Sequence, residues 1–486
     1  MKLVELLQDI QVAEHSSELG VDIKDICFDS RKCTPGSLFV AVDGNLSDGH
    51  KYIPKAIENG AVAVLYQNPD YDGKLEGVAS VRVPDSRSAL ALMASAFYDN
   101  PSSKLTLVGV TGTNGKTTTA TLLYELFTQL GYHCGLLSTI ENYIGRKKYP
   151  ADHTTPDPLE LNALLAEMVA SGCQYCFMEV SSHSIDQERI KGLTFAGGIF
   201  SNITHDHLDY HKTFDNYLRC KKKFFDNLPS SAFALVNIDD RNGSVMVQNT
   251  AARVYTYSCG SMADFRCRIM DQTMEGMLLK MDDTQLWTMF IGAHNAHNLL
   301  AVYGTAMLLG ADKEEVLTIM SKLRAVNGRL EYLRGGNNVT AVVDYAHTPD
   351  ALENVLKTLR ETAKGEYLIC VFGCGGDRDK TKRPEMGAIA GKYADRVVVT
   401  SDNPRHEDPL AIMDDIKAGM DTKIRAKSVF IADRKEAIRS AIMFAPEGGV
   451  VLVAGKGHED YLIIGDEKMH FDDKEVIAEV FDELKS

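Results

Sequence analysis

Along this chain, short apolar runs closed by polar loops alternate with stretches in which apolar residues recur every three or four positions. The runs suit buried strands, and the recurring stretches have the period of helices packed on one face. Regular alternation of the two predicts an α/β protein built on parallel sheets. The clearest unit spans residues 105–130. An apolar run over 105–110 breaks at Thr111-Gly112-Thr113-Asn114-Gly115-Lys116-Thr117, and apolar residues return at Leu122, Leu123, Leu126, Phe127 and Leu130. That spacing predicts strand, glycine loop and helix.

Upstream, runs at 23–28, 37–42 and 61–65 predict the strands of an N-terminal unit, and the polar stretch 99–104 reads as a linker. Downstream, 175–178 predicts a short strand ending at Glu179, and 232–290 is β-rich. Beyond Gly328, runs at 339–343, 367–372, 396–400 and 449–453 alternate with helical patterns. Each ends in a polar loop: Asp344-Tyr345-Ala346-His347-Thr348-Pro349, then 373–383, then Ser401-Asp402-Asn403-Pro404-Arg405, then Gly455-Lys456-Gly457-His458-Glu459. Loops at the same end of parallel strands share one crevice. Gly373-Cys374-Gly375-Gly376 lacks the GxGxxG spacing, which argues against a nicotinamide-binding fold. A length of 486 residues suits about three domains, placed at 1–100, 101–329 and 330–486. The central one is a P-loop parallel-sheet domain, and the last is doubly wound and Rossmann-like.

Net charge narrows the partners. At −15 the chain lacks the broad basic surface of a nucleic-acid protein, so anionic ligands must meet local basic pockets. The opening MKLVELLQDI is too short and acidic for a signal peptide, and no apolar run approaches the roughly 20 residues that span a bilayer. A cytoplasmic protein without membrane insertion is expected. Ten cysteines in so long a chain should be mostly free thiols. Cys173 and Cys176 form a CxxC with no second pair at zinc spacing, and Cys370 and Cys374 read as packing residues.

Several stretches carry candidate chemistry. Gly112 and Gly115 let backbone N–H groups turn toward phosphate at a helix N-terminus, with Lys116 for the outer phosphates and Thr117 for Mg²⁺. The strict Walker A pattern wants glycine where Val110 stands, but strand and helix flank the loop as the motif requires. Glu179, at the carboxyl end of a buried strand, suits Mg²⁺. His205, Asp206, His207, Asp209 and His211 could ligate a metal, with a supporting role beside a Mg²⁺-nucleotide favoured over zinc. Asn295 and Asn298, three apart, can face one ligand from a helix's first turn. By composition alone Lys221-Lys222-Lys223 is a solvated helix face, and Asp29-Ser30-Arg31 a capped turn with an exposed arginine.

The motifs TGTNGKTTT at 111–119, EVSSH at 179–183, DHLDYH at 206–211, HNAHN at 294–298, GRLE at 328–331 and DYAHTPDAL at 344–352 resemble, in order and spacing, those of the Mur ligase family. These are ATP-dependent amide-forming enzymes of peptidoglycan precursor synthesis, serving cell-wall biogenesis, shape and division. GCGGDRDKTKRP, DNPR and GKGHED are similar to members that add the third peptide residue, and DNPR resembles the meso-diaminopimelate-adding type.

The resemblance implies an ATP γ-phosphoryl group passed to a substrate carboxylate, an acyl phosphate, and attack on it by an amine. It implies catalytic roles for Lys116, Glu179, His207, Asp344 and Lys221, the last carbamylated and standing fifteen residues after Asp206. For ATP it points to Gly112, Thr113, Asn114, Gly115, Lys116, Thr117, Thr118, Asn295, Asn298 and Arg329, and for Mg²⁺ to Thr117, Glu179, His207 and Lys221. UDP-N-acetylmuramoyl-dipeptide would meet Ser30, Asn45, Leu46, Ser47, Thr154, Thr155, Ser181, Gln187 and Arg189. The amino acid would meet Arg378, Asp402, Asn403, Pro404, Arg405, Gly455 and Glu459. Arg405 offers a fork to diaminopimelate's distal carboxylate; facing lysine it would be a buried cation without a partner. The partners implied are these small molecules alone, with the protein a monomer. A lysine-adding or folylpolyglutamate synthetase-like ligase, and a P-loop regulatory ATPase without ligase activity, remain the alternatives.

Overall fold

A computed structural model describes residues 1–44, 47–151 and 153–484. Its first sheet aligns Glu14–His15, Ala79–Arg82, Ala61–Tyr66, Ser37–Val40 and Asp25–Cys27, parallel except for the first strand. The stretch 99–104 is a packed connection rather than a free linker: Pro101 and Ser102 are buried, and Ser102 Oγ accepts from the Thr194 amide at 3.0 Å.

The second sheet is built outward from the strand Thr106–Thr111. Gly197–Phe200 and Tyr175–Glu179 pair with it on either side, followed by Phe233–Asn237 and Arg253–Ser258 on one flank and Cys134–Leu137 on the other, all parallel. The inner strands are largely apolar because helices cover both faces, whereas Arg253–Ser258 starts exposed and polar. Lys116–Gln129 and Ala293–Leu308 close one core, and Pro158–Ala170 and Phe214–Asp226 close the other. Register places Glu179 opposite Val110 and Phe200 opposite Thr111, so the loops after these strands emerge side by side. The β-rich stretch is interrupted by a short helix, Gly243–Met246, and ends as the antiparallel strands Phe265–Thr273, Gly276–Met281 and Thr284–Thr288.

The third sheet runs Glu331–Arg334, Thr340–Asp344, Val450–Ala454, Leu368–Phe372, Arg396–Val399, Ser428–Phe430, with only the first strand antiparallel. The four expected strands are the buried interior of this sheet. The short edge strands Glu14–His15 and Ser428–Phe430, and the hairpin Tyr461–Ile464 with Glu467–His470, have no fully buried residue.

Cys27 and Cys33 are joined by a disulfide across the Ser30 turn, and the other eight cysteines are free. Cys173, Cys176, Cys370 and Cys374 are buried among apolar side chains. Among the described residues no helix is long and apolar enough to cross a membrane.

Two buried arginines brace the C-terminal sheet. Arg434 donates to both Asp473 oxygens at 2.8 and 2.7 Å and to the carbonyls of Ala454 and Ser401, with both side chains essentially inaccessible. Arg383 is likewise buried and grips Glu407, Asp415 and the Gly375 carbonyl. Removing one partner of a buried pair strands the other charge. Arg434→Ala should therefore cost about 3–5 kcal/mol in urea denaturation, and an Arg434→Met/Asp473→Leu variant should recover part of that.

The guanidinium of Arg383 and the ammonium of Lys380 hold the Glu407 carboxyl at about 2, below its ordinary 4.5. A depressed carboxyl stabilises the fold above its ordinary value, and that contribution is lost as pH falls toward the depressed one. The fall in melting temperature between pH 5 and 2 should be shallower for Glu407→Gln than for the native chain.

Candidate active site

The loop between Thr111 and Lys116 turns through two glycines in the left-handed region, Gly112 at φ 153° and Gly115 at φ 87°. A side chain at either would run into a neighbour, Ser201 Oγ at the first and Asn298 Oδ1 at the second. Glycine is thus required by close approach as well as by torsion. The amides that follow point from the N-terminus of Lys116–Gln129 into the crevice, where a phosphate is favoured.

Lys116 Nζ donates to the carbonyls of Gly112 and Thr113 at 2.9 and 2.8 Å. Lys221, on the helix Phe214–Asp226, is buried and donates to the same Gly112 carbonyl at 2.8 Å, lying 4.9 Å over the Tyr217 ring. Burial, then the nearby Lys116 charge, pushes its ammonium well below the ordinary lysine range. The solvated-face reading therefore fails for Lys221: its neighbours on the helix are partly open, Lys222 pairing with Asp226. A 3.6-residue turn sends adjacent lysines to different surroundings.

Glu179 is buried and its carboxylate accepts from Thr139, at 2.7 Å from the amide and 3.2 Å from the hydroxyl. With that hydrogen committed to Glu179, Thr139 Oγ1 accepts from the Thr154 hydroxyl, 3.0 Å away. The Glu179 carbonyl accepts from Thr155 Oγ1 at 2.8 Å, and the Ser181 amide donates to that hydroxyl at 3.2 Å. Arg189 reaches the Thr155 carbonyl at 2.8 Å and grips Gln187 Oε1 at 2.7 and 3.1 Å. Thr154, Thr155, Ser181, Gln187 and Arg189 therefore form one network on Glu179.

The first-sheet residues stand apart from that network. Ser30 sits in a turn capped by Asp29, its carbonyl held by Asn59 at 2.8 Å, with Arg31 exposed and paired to Asp29 as the composition suggested. Ser47 Oγ shares a hydrogen with the Tyr52 hydroxyl at 3.2 Å. Asn45 and Leu46 lie outside the described residues.

His207 takes a left-handed backbone, φ 54°, and its amide donates to Asp206 at 2.9 Å. Its ring lies 5.0 Å from that of His183. Desolvation lowers His207 to about 4 against the opposing pull of Asp206. His205, Asp206, His207, Asp209 and His211 do not bring three ligand atoms together; among the described residues the one such group is Asp239, Cys259 and His297, which sequence reading missed. Those three belong to different strands and a helix, so no local spacing announces them.

The C-terminal sheet delivers the opposite wall. Asn114 Nδ2 donates to Asp350 at 2.8 Å, and Thr204 Oγ1 reaches the same carboxylate at 3.4 Å. Arg329 lies 4.6 Å over the Tyr345 ring and donates to Thr117 Oγ1 at 3.4 Å, while its Nε is buried with no partner. Asp344 accepts from the Leu330 and Ala346 amides, both at 2.8 Å; burial raises its carboxyl while Arg329 pulls it down. Asn298 Nδ2 donates to Asn295 Oδ1 at 3.2 Å, and Asn295 Nδ2 to the Ile291 carbonyl at 2.9 Å. Neither asparagine caps its helix, whose cap is Gly292, and Asn298 faces Gly115 of the phosphate loop. Thr113 Oγ1 shares a hydrogen with the Tyr217 hydroxyl at 3.1 Å, and Thr118 is buried beneath the loop.

Around the loop 401–405, Asp402, Asn403 and Pro404 are buried, and Arg405 is half-buried in a left-handed turn. Asn403 Nδ2 donates to Glu459 at 2.8 Å and its Oδ1 accepts from Lys456 Nζ at 3.0 Å. Gly455, beside Asp402, donates to the Asp344 carbonyl at 3.0 Å, which joins this pocket to the nucleotide wall. Arg405 donates to the carbonyls of Gly376 and Asn403, at 2.8 and 3.5 Å. Its guanidinium is therefore half-buried and, without a ligand, already has carbonyl acceptors. Arg378 is exposed, bonded to the Asp377 carbonyl. Burial and then Asp402 raise the Glu459 carboxyl. Sequence reading gave no role to Lys456 and His347, in loops, or to Asp350 and Lys382, at the starts of the helices Pro349–Thr362 and Lys382–Tyr393, since a lone polar residue gives no periodic signal.

These elements gather a phosphate loop, a buried lysine, a strand-end carboxylate and a loop carrying arginine and acids on facing walls. Family models match in the same order: "Mur ligase family, catalytic domain" over residues 22–98, "Mur ligase middle domain" over 110–306 and "Mur ligase, glutamate ligase domain" over 328–457. UDP-N-acetylmuramoyl-L-alanyl-D-glutamate–2,6-diaminopimelate ligases of Bacteroides fragilis and Cytophaga hutchinsonii are 54% and 53% identical, over 99% and 100% of both this chain and theirs. A solved structure of a ligase of that name matches 100% of this chain and 99% of its own, with TM-score 0.69 and 30% identity. The chain belongs to the Mur ligase family.

Proposed function

We propose that this chain uses ATP to join meso-2,6-diaminopimelate to the D-glutamate carboxylate of UDP-N-acetylmuramoyl-L-alanyl-D-glutamate, as a cytoplasmic monomer in peptidoglycan precursor synthesis. The observation that carries the proposal is the convergence of Lys116 and Lys221 on the Gly112 carbonyl beside the Glu179 network, with the 401–405 loop on the facing wall. Units 1–100, 101–329 and 330–486 then hold the UDP end, the nucleotide and the amino acid.

The γ-phosphoryl group passes to a carboxylate oxygen and ADP leaves. The amine attacks the acyl carbon, the C–O bond to phosphate breaks, and the nitrogen gives up a proton. Such transfer depends on positioning and charge neutralisation more than on a nucleophilic side chain. Lys116 swings from its carbonyls to the outer phosphates, Asn295 and Asn298 orient the base, and Arg329 and Asp344 hold the nucleotide from the C-terminal side. Thr155, Ser181, Gln187 and Arg189 position the dipeptide's carboxylate, while Ser30 and Ser47 serve the uridine end.

Mg²⁺ asks for oxygen ligands. Glu179 supplies a carboxylate and Thr117 a hydroxyl, with His207 alongside, but a bare Lys221 ammonium cannot ligate a cation. A Lys221 amine that takes up CO₂ and releases a proton becomes a carbamate with the required oxygens. Its depressed basicity leaves the nitrogen lone pair free to do so. Bound Mg²⁺ neutralises charge on the phosphates. His207, held neutral at ordinary pH, adds no competing positive charge.

Arg405 meets the distal carboxylate of diaminopimelate, and Asp402, Asn403 and Glu459 accept from its distal ammonium, which L-lysine's single amine end does not reproduce. Phosphate release with the UDP-dipeptide should be strong with meso-diaminopimelate, weak with L-lysine, and lost with diaminopimelate in Arg405→Ala. Equal turnover with lysine would overturn the role of Arg405, and no turnover with either would overturn ligation. Lys221→Ala should lower kcat about 100-fold or more, with added short carboxylates restoring part of it. An unchanged rate would remove Lys221 from the mechanism.

A further inference from the structure

Away from the phosphate-binding face, three side chains meet that the proposed reaction does not use. The strand Phe233–Asn237 leads into Asp239, the strand Arg253–Ser258 into Cys259, and the helix Ala293–Leu308 carries His297. An aspartate oxygen, a thiol sulfur and an imidazole nitrogen from these three lie within 4.8 Å of one another.

Each donor is held toward the others. His297 Nδ1 lies 2.9 Å from the Ala293 carbonyl, which can only accept, so Nδ1 carries a hydrogen and Nε2 is the nitrogen left to face the cluster. Nε2 lies 2.8 Å from Asp239 Oδ2 and donates to it in the metal-free chain, a hydrogen that a bound ion displaces. One imidazole nitrogen anchored on a backbone carbonyl with the other aimed inward is the arrangement that metal-ligating histidines take. Ser258 Oγ, donating at 2.6 Å, and the Cys259 amide, at 2.7 Å, fix the Asp239 carboxylate. Parallel register pairs Ser258 with Arg266, which places Cys259 beside Cys267 of the next strand. The His297 and Asp239 side chains keep 25% and 22% exposure, so an ion can reach them from solvent.

An ion pair between Asp239 and His297 would need neither thiol. Nor does the set suit Mg²⁺, which asks for six oxygens in near-octahedral geometry. Sulfur, imidazole and carboxylate together are the donors of Zn²⁺. We propose that Asp239, Cys259 and His297 form a zinc site, with its fourth position open to water. Binding releases the Cys259 thiol proton and any proton held between His297 Nε2 and Asp239. Because His297 stands between Asn295 and Asn298, an occupied site ties two strand ends to the helix turn that faces the nucleotide.

Titration of the reduced, metal-free full chain with Co²⁺, a spectroscopic stand-in for Zn²⁺, tests this. One Co²⁺ per chain should bind with a near-ultraviolet thiolate-to-metal band that added Zn²⁺ abolishes. Cys259→Ala should lose the band while keeping the native circular dichroism, and His297→Ala should weaken binding about tenfold or more. Cys267→Ala and Cys173→Ala/Cys176→Ala should bind like the native chain. The absence of a band in the native chain, or a band that survives Cys259→Ala, would overturn the site.

Discussion

Two lysine ammoniums on one carbonyl oxygen set the terms for the rest of this molecule. Lys116 and Lys221 both donate to Gly112, at 2.9 and 2.8 Å, in a place where Lys221 has no access to water. Like charges held this close in a low-dielectric site repel and are relieved by losing a proton or gaining an anion. In the proposed reaction phosphate answers the first lysine and a carbamate the second. The Glu179 network, level with the end of the same strand, then supplies the carboxylate that a cation between the two would need.

That demand explains why the phosphate loop is roofed by another sheet. Asp350 receives Asn114 and Thr204, while Arg329 spans from the Tyr345 ring to Thr117. Two of these contacts join residues more than two hundred positions apart. The wall over the phosphate loop is thus assembled from two sheets, and its electrostatics hold only while they stay together.

The pocket around residues 401–405 is built differently, by buried pairs rather than by a glycine loop. Arg434 with Asp473 and Arg383 with Glu407 and Asp415 fix the strand ends, and Lys456 with Asn403 and Glu459 fixes the loop itself. Arg405 is left on weaker carbonyl acceptors, so it can exchange them for a carboxylate. Rigid support beneath one adaptable arginine is how a loop is made selective.

The sequence by itself determined the alternating architecture, the interior strands and the phosphate loop, because each follows from periodicity or from glycine at fixed spacing within one stretch. It also determined the polar loops at strand ends, since an apolar run that stops is visible locally. Edge strands such as Glu14–His15 stayed hidden because exposed residues leave no apolar run. Tertiary structure alone decided that Lys221 is buried while Lys222 pairs with Asp226, and that Arg405 finds carbonyls. It alone brought Asp239, Cys259 and His297 together. Each of these depends on which strand lies beside which, and crossover connections set that order over distances no local pattern spans.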